Sequence, residues 1–291
     1  METILTFKEH KVIISPEQPF VIIGERINPT RRKKLAESMA VGDFSIVQED
    51  ARKQVEAGAQ VLDVNAGIPG ADEPGLLRSA AMAVMEVVQA PLCFDTANPD
   101  ALAAALEVYP GKALINSTTA EPHMMERVFP LAKKFGAAVI GVITDENGIP
   151  ATPADRLAVA QKLIDKAGVY GIPPEDIVID CLALTVGADS QAGRVTLDSM
   201  MLVREKLGVN LSLGASNVSF GLPDRKIINV AYLALANACG LTTAITDPTV
   251  PEIQTTLLAC DLLLGRDEYA MRWIKAFRKR EKAAKAASAS G

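Results

Sequence analysis

Eight short apolar runs in this chain each end in side chains that form hydrogen bonds. Glu25, Arg26 and Asn28 close the first, Asp63 and Asn65 the second, Asp95 and Thr96 the third, and Asn116 and Ser117 the fourth. Thr144 and Asp145 follow the fifth, Asp180 the sixth, Ser216 and Asn217 the seventh, and Asp247 the eighth. Carboxylates only accept hydrogen bonds, whereas amides both donate and accept. A set of such groups with little positive charge among them suits a neutral heterocycle rich in N–H donors.

The same residue types are also the preferred N-caps of helices. Capping fits Asp145, Asp247 and Asp100 best, because "DENG", "DPT" and "NPD" read as turns. It fits Asp63, Asp95, Asn116 and Asp180 poorly. These follow their apolar runs directly, still in strand rhythm, and are expected to point into a common mouth. A carboxylate there is costly unless a donor meets it.

Other chemistries lack their residues. The two histidines, His10 and His123, have no metal-ligand spacing, and there is no HExxH, Cys/His cluster, Walker loop or GxSxG. The four cysteines, Cys93, Cys181, Cys239 and Cys260, are far apart in apolar settings and read as buried thiols. No protein-bound metal and no nucleophilic serine are therefore expected.

The elements that position these residues follow from the pattern. The runs are "FVIIGERIN", "AQVLDVNAG", "APLCFDTAN", "KALINSTTA", "AAVIGVITD", "DIVIDCLAL", "VNLSLGASN" and "LTTAITDP". Helical stretches lie between them, such as "SIVQEDARKQVEAG", closed by Gly58, and "DRLAVAQKLIDKAGVYG", with Pro153 near its start and Gly168 near its end. Eight near-continuous apolar strands, each followed by a helix, predict an α/β fold, a closed parallel (β/α)8 TIM barrel. Active sites of that fold sit where the carboxyl ends of the strands converge. A doubly wound open sheet would place a Gly-rich phosphate turn after its first strand, and "GERINPTRRKK" is not one.

A length of 291 residues suits one such barrel, and no linker or composition shift divides it, so 1–291 is read as a single domain. Residues 1–20 are expected to cover the bottom of the barrel, and 267–291 to form a last helix and tail. The basic stretch "RKREKAAK" reads as a solvated helix, and the final "AASASG" is set aside. An aromatic content of 4% and a net charge of −5 argue against nucleic acid. There is neither a signal-peptide core in "METILTFKEH" nor an apolar run of membrane-spanning length, so a cytoplasmic protein is expected.

"GERIN", "DVNAG", "FDTAN", "INST", "IDCL" and "SNVSF", in this order and each at a predicted strand end, resemble the pterin-binding methyltransferases. That family includes the methyltetrahydrofolate–corrinoid protein methyltransferases and the folate domain of cobalamin-dependent methionine synthase. The resemblance runs from about Val21 to Ile245. It implies a TIM barrel, usually a homodimer, holding tetrahydrofolate or 5-methyltetrahydrofolate across its mouth as substrate. By matching motifs, Asp95, Asn116 and Asp180 would hold the pterin, and Asn217 would lie near N5, the methyl-bearing nitrogen. Asp63 and Asn65 would orient water or donors near the same atom, and Ser216, Arg225 and Ile245 would complete the folate site, with a surface salt bridge the other role open to Arg225.

The implied reaction moves a methyl group between N5 and the cobalt of a cobamide (cobalamin), in either direction. The cobamide-binding signature DxHxxG and the zinc-thiolate apparatus of homocysteine methyltransferases are absent from the sequence. The cobamide is therefore expected on a separate corrinoid protein. The branch that serves the corrinoid iron–sulfur protein typically has Gln after "NVS", where this chain has Phe220. "SNVSFG" is closer to the methionine synthase folate domain and to stand-alone enzymes of methyl-donor demethylation.

Two other functions fit the same barrel. Dihydropteroate synthase shares the pterin pocket, but its phosphate-binding first loop and Lys/Arg pattern do not occur here. A non-catalytic folate-binding barrel would have no need of Asn217.

Overall fold

In the computed structural model, which describes residues 1–289, all eight apolar runs form strands. A hairpin precedes them, made of β1 (Thr3–Phe7) and β2 (His10–Ile14). The strands β3 (Val21–Ile27), β4 (Val61–Val64), β5 (Leu92–Asp95), β6 (Leu114–Thr119), β7 (Ala138–Val142), β8 (Ile177–Asp180), β9 (Leu211–Ser212) and β10 (Thr243–Thr246) then form one parallel sheet. Its order is β10-β3-β4-β5-β6-β7-β8-β9. The ring closes between β9 and β10, where Thr242 N donates to Leu211 O at 3.2 Å and Ile245 N to Leu213 O at 2.9 Å.

The helices between and after the strands are α1 (Lys33–Ala40), α2 (Ser45–Glu56), α3 (Glu73–Val87), α4 (Pro99–Val108), α5 (Pro122–Phe135), α6 (Pro153–Val169), α7 (Ala192–Leu207), α8 (Arg225–Ala238), α9 (Pro251–Leu263) and α10 (Met271–Ala289). The last two residues of the "AASASG" tail lie outside the described residues. Among the described residues, no helix is long and apolar enough to cross a membrane.

Side chains alternate across each strand, so one set packs outward against the helices while the other fills the lumen. Leu62, Phe94, Ile115 and Ile179 belong to the outer layer. Ile23, Val61, Cys93, Leu114, Ile140 and Val178 fill the lumen, and Leu5, Val12 and Ile14 of the hairpin pack into the same cluster. The hairpin is tethered by Tyr109, whose hydroxyl donates to Thr6 O at 2.8 Å, and by Asn210, whose amide donates to Ile14 O at 2.8 Å. One end of the lumen is thus sealed with apolar side chains, and polar chemistry is left to the other.

Three helix starts correct the capping expectations. The N-cap of α4 is Asn98, whose side chain accepts from Asp100 N, and not Asp100 itself. The helix after β10 begins with Pro251 and has Val250 at its N-cap, so Asp247 is not a cap. Proline has no N–H to lose at the first helical position, and it fixes where each helix starts. Asp145 closes a tight turn with Gly148 instead of capping α6, whose N-cap is Thr152.

Candidate active site

Parallel register aligns the strand ends. Asp95 lies opposite Asn116 in the β5–β6 ladder, and Asp63 opposite Cys93 in the β4–β5 ladder. A cavity of about 310 Å³ opens at this rim, lined by Glu25, Arg26, Asn28, Thr30, Arg32, Asp63, Asp95, Asn116 and Ile245. A larger hollow of about 500 Å³ lies elsewhere, between Phe44 and Glu86, and contains no strand-end side chain.

The first wall of the cavity depends on a bulge in β3, where the pairing with β4 shifts between Gly24 and Ile27. Gln54 of α2 reaches into that bulge, and its Oε1 accepts from Arg26 N at 2.9 Å. A Cβ on Gly24 would collide with the Gln54 amide, so the close approach requires glycine. The bulge brings both Glu25 and Arg26 to the cavity. Arg26 pairs with Asp247 at 3.2 Å and Arg32 with Asp50 at 2.6 Å, so both guanidinium charges are compensated.

At the centre are two amide–carboxylate pairs. Asn116 Nδ2 donates to Asp63 Oδ1 at 3.1 Å, and Asn65 Nδ2 donates to Asp95 Oδ2 at 3.0 Å. Asp63 is 2% exposed. Burial first, then the charge of Asp95, pushes its carboxyl well above the usual carboxylate range. Burial also raises Asp95, and Glu73 adds to it, while the Asn65 hydrogen bond opposes the rise. Glu25 is raised by burial and by Asp247. These groups lack donors in number, which is the state a ligand with N–H groups would relieve.

The other predicted site residues lie to one side of this cavity. Asp180 does not line it. Its carboxylate accepts from Leu182 N at 2.7 Å and from the N–H of Gly214, and burial raises its pKa to about 6 against those bonds. It thereby links the end of β8 to the segment after β9. Asn217 is not on a strand, because β9 ends at Ser212 and residues Ala215–Ser219 form a 3₁₀ turn in which Asn217 is exposed. Ser216 Oγ donates to Glu25 Oε1 at 3.4 Å, which connects this turn to the cavity wall.

Arg225 anchors the turn from the start of α8. Its Nη2 donates to Ser216 O at 2.6 Å and its Nε to Ser219 Oγ at 3.0 Å, and Ser219 Oγ donates onward to Asn229 Oδ1 at 2.6 Å. Among the described residues it makes no surface salt bridge, the other role open to it from the sequence. Thr30 and Arg32 carried no signal in the sequence, whereas Glu25 did, through its place at a strand end. Among the described residues, no group of three or more His, Cys, Asp or Glu side chains is disposed to hold a metal ion.

The profile of the family described as "Pterin binding enzyme" matches residues 24–247. The chain is 29% identical over 265 residues to the methylcorrinoid:tetrahydrofolate methyltransferase of Eubacterium limosum, covering 89% of this chain and 96% of that protein. It is 29% identical over 243 residues to methionine synthase of Mycobacterium leprae, covering 79% of this chain but only 20% of that much longer one. Among solved structures, dihydropteroate synthase of Xanthomonas albilineans with 4-aminobenzoic acid superposes with a TM-score of 0.69 at 18% identity, over 90% of this chain and 98% of that one. The dihydropteroate synthase of Vibrio fischeri ES114 gives 0.68 at 16% identity, over 91% and 99%. At these identities the two structures establish a common fold.

Proposed function

The chain belongs to the pterin-binding enzyme family, and on that premise we propose that it is a methyltransferase moving a methyl group between N5 of 5-methyltetrahydrofolate and a cobamide carried by a separate corrinoid protein. The observation that carries the reading is the pair of amide–carboxylate contacts, Asn116–Asp63 and Asn65–Asp95, gathered in one cavity at the strand ends. A 2-amino-4-oxo pterin edge presents paired N–H donors beside acceptors, and carboxylates with amides answer both. The relative in Eubacterium limosum, named for methyl transfer from a methylcorrinoid to tetrahydrofolate, supports this substrate pair.

In this reading Asp95 and Asn116 hold the pterin from within the cavity and Asp180 from the strand end beside it, and Asn65, Ser216, Arg225 and Ile245 complete its surroundings. Asn217 stands beside N5, and Asp63 orients a water near that atom. A tertiary amine leaves its methyl group only as N5 gains a proton or a strong hydrogen bond. Asn217 donates that hydrogen bond, and the proton reaches N5 through water. The cobamide takes or supplies the methyl group. By microscopic reversibility the same contacts serve both directions. The exposure of Asn217, against the burial of Asp63, favours a reacting atom on the open side, where a second protein can approach. The reading also carries a homodimer in the cytoplasm.

A spectral assay tests it. Reduced cobamide and 5-methyltetrahydrofolate are mixed, and loss of the Co(I) absorbance is followed on adding the enzyme. Loss that depends on enzyme and folate is expected. An unchanged spectrum, with free cobamide and with corrinoid protein alike, would overturn the proposal.

A further inference from the structure

The largest fully buried side chain among the described residues is a charged one, Arg156 of α6, which is 2% exposed. It pairs with no carboxylate among the described residues, and every acceptor it meets is neutral. Its Nε donates to Pro150 O at 3.0 Å. Its Nη1 donates to Cys181 O at 2.9 Å and to Thr196 Oγ1 of α7 at 3.1 Å, and lies 3.5 Å from Leu182 O. Thr196 Oγ1 is in turn 3.2 Å from Leu182 O, within donating distance. A guanidinium buried without a counter-charge is costly, and apolar side chains of similar volume often replace such groups without loss. Packing alone does not account for it.

What Arg156 holds is the backbone that follows β8. Leu182 has a φ of 52°, a left-handed conformation that a leucine keeps only where its surroundings impose it. The N–H of this same residue donates to the Asp180 carboxylate at 2.7 Å. Pro150 belongs to the loop after β7, so one guanidinium ties that loop, the end of β8 and the first turns of α7 together. Asp180 has two backbone donors, the N–H groups of Leu182 and Gly214. Freeing Leu182 would leave it with one.

We propose that Arg156 is a positioning residue for Asp180. By holding Cys181 O directly and Leu182 O through Thr196, it fixes the turn whose N–H aims the Asp180 carboxylate at the pterin. The inference rests on the folate reading above. Arg156 itself touches no folate, because it reaches the strand end from the helix layer.

The test is a double-mutant cycle read by calorimetric titration of 5-methyltetrahydrofolate, with circular dichroism to confirm each fold. Arg156→Met should weaken folate binding about tenfold, the effect of misplacing one charge-assisted acceptor. Arg156→Lys keeps the charge but not the planar fork, and should bind within about threefold of wild type. In an Asp180→Ala background the group to be positioned is gone, so Arg156→Met should cost less than about twofold. In an Asp95→Ala background, which leaves Asp180 in place, it should still cost about tenfold. Thr196→Val removes only the hydroxyl between Arg156 and Leu182. It should weaken binding about threefold, again only where Asp180 is present, and it carries the test if Arg156→Met does not fold.

A loss of affinity that is the same with and without Asp180 would overturn the positioning role and leave the folate reading intact. So would unchanged affinity in both Arg156→Met and Thr196→Val. Wild-type protein that binds no 5-methyltetrahydrofolate would remove the folate reading as well.

Discussion

Asn116 donates to Asp63 at 3.1 Å across the intervening strand β5, so an amide of one strand meets a carboxylate two strands away. The contact fixes the orientation of the Asn116 amide. Its nitrogen is committed to Asp63, and its oxygen remains to accept from a ligand. Asp95, between them in the sheet, is held by Asn65 from the other side. The cavity therefore presents acceptors whose directions are set before any ligand arrives, which lowers the ordering cost of binding.

Removing one of these acceptors should show in affinity. In the proposed function, Asp95→Ala deletes a charge-assisted acceptor worth roughly 1.5–3 kcal/mol. Calorimetry should then find folate binding weakened by about one to two orders of magnitude. Asp63→Ala should weaken it less directly, by freeing the Asn116 amide to rotate. Unchanged affinity in both variants would mean that the pterin does not occupy this cavity.

The pH dependence of stability offers a second check. Burial raises Asp180 to about 6, whereas an unfolded Asp titrates near ~4. The folded state thus holds the proton more tightly, and this group opposes folding increasingly as pH rises from ~4 to ~6, fully so above that. Asp180→Asn removes the opposition. Urea denaturation should find the ligand-free variant more stable than wild type by about 1–3 kcal/mol at pH 7.5, with the gain gone near pH 4. A gain that is the same at both pH values would show that the carboxylate charge is not its cause.

The strand ends were legible because a barrel strand is an apolar run, and Asp63 and Asp95 interrupt theirs abruptly while the strand rhythm continues. All eight strands and the closed parallel barrel could be read on that basis. What could not be read came from contacts distant in sequence. Glu25 reaches the cavity because Gln54 of α2 stabilises a bulge in β3. Asn217 seemed to continue an apolar run, but β9 pairs for only two residues before the chain turns. For Asp100 and Asp247 the caps were misplaced because Pro99 and Pro251, not the acidic residues, set the helix starts.

Arg225 should act through the turn it anchors. It holds Ser216 O and Ser219 Oγ on either side of Asn217. Arg225→Ala should lower the single-turnover transfer rate, and its effect should overlap with that of Asn217→Ala. A double-mutant cycle should give a coupling energy of about 0.5–3 kcal/mol, the range for residues sharing one network. Strict additivity would separate Arg225 from Asn217.

Asn217 itself is tested through differential binding. In the ground state N5 of 5-methyltetrahydrofolate is a neutral, weakly basic amine, and an amide hydrogen bond to it gains little. As the methyl group departs, electron density collects on N5 or a proton arrives there, and the contact strengthens. Only interactions stronger in the transition state raise the rate. The amide is not acidic at working pH, so it cannot be the proton source. Water fills that role, and the exposed position of Asn217 gives water access to it. Losing a preorganised donor at a site of developing charge costs ~2.7–4 kcal/mol where a full oxyanion forms. N5 never carries that much charge, so a loss at or below the lower end, up to about a hundredfold in rate, is expected. Asn217→Ala should keep the fold, weaken folate binding slightly, and slow single-turnover methyl transfer far more. An undiminished rate at saturating folate would remove Asn217 from the reaction and leave the 3₁₀ turn a structural feature of the rim.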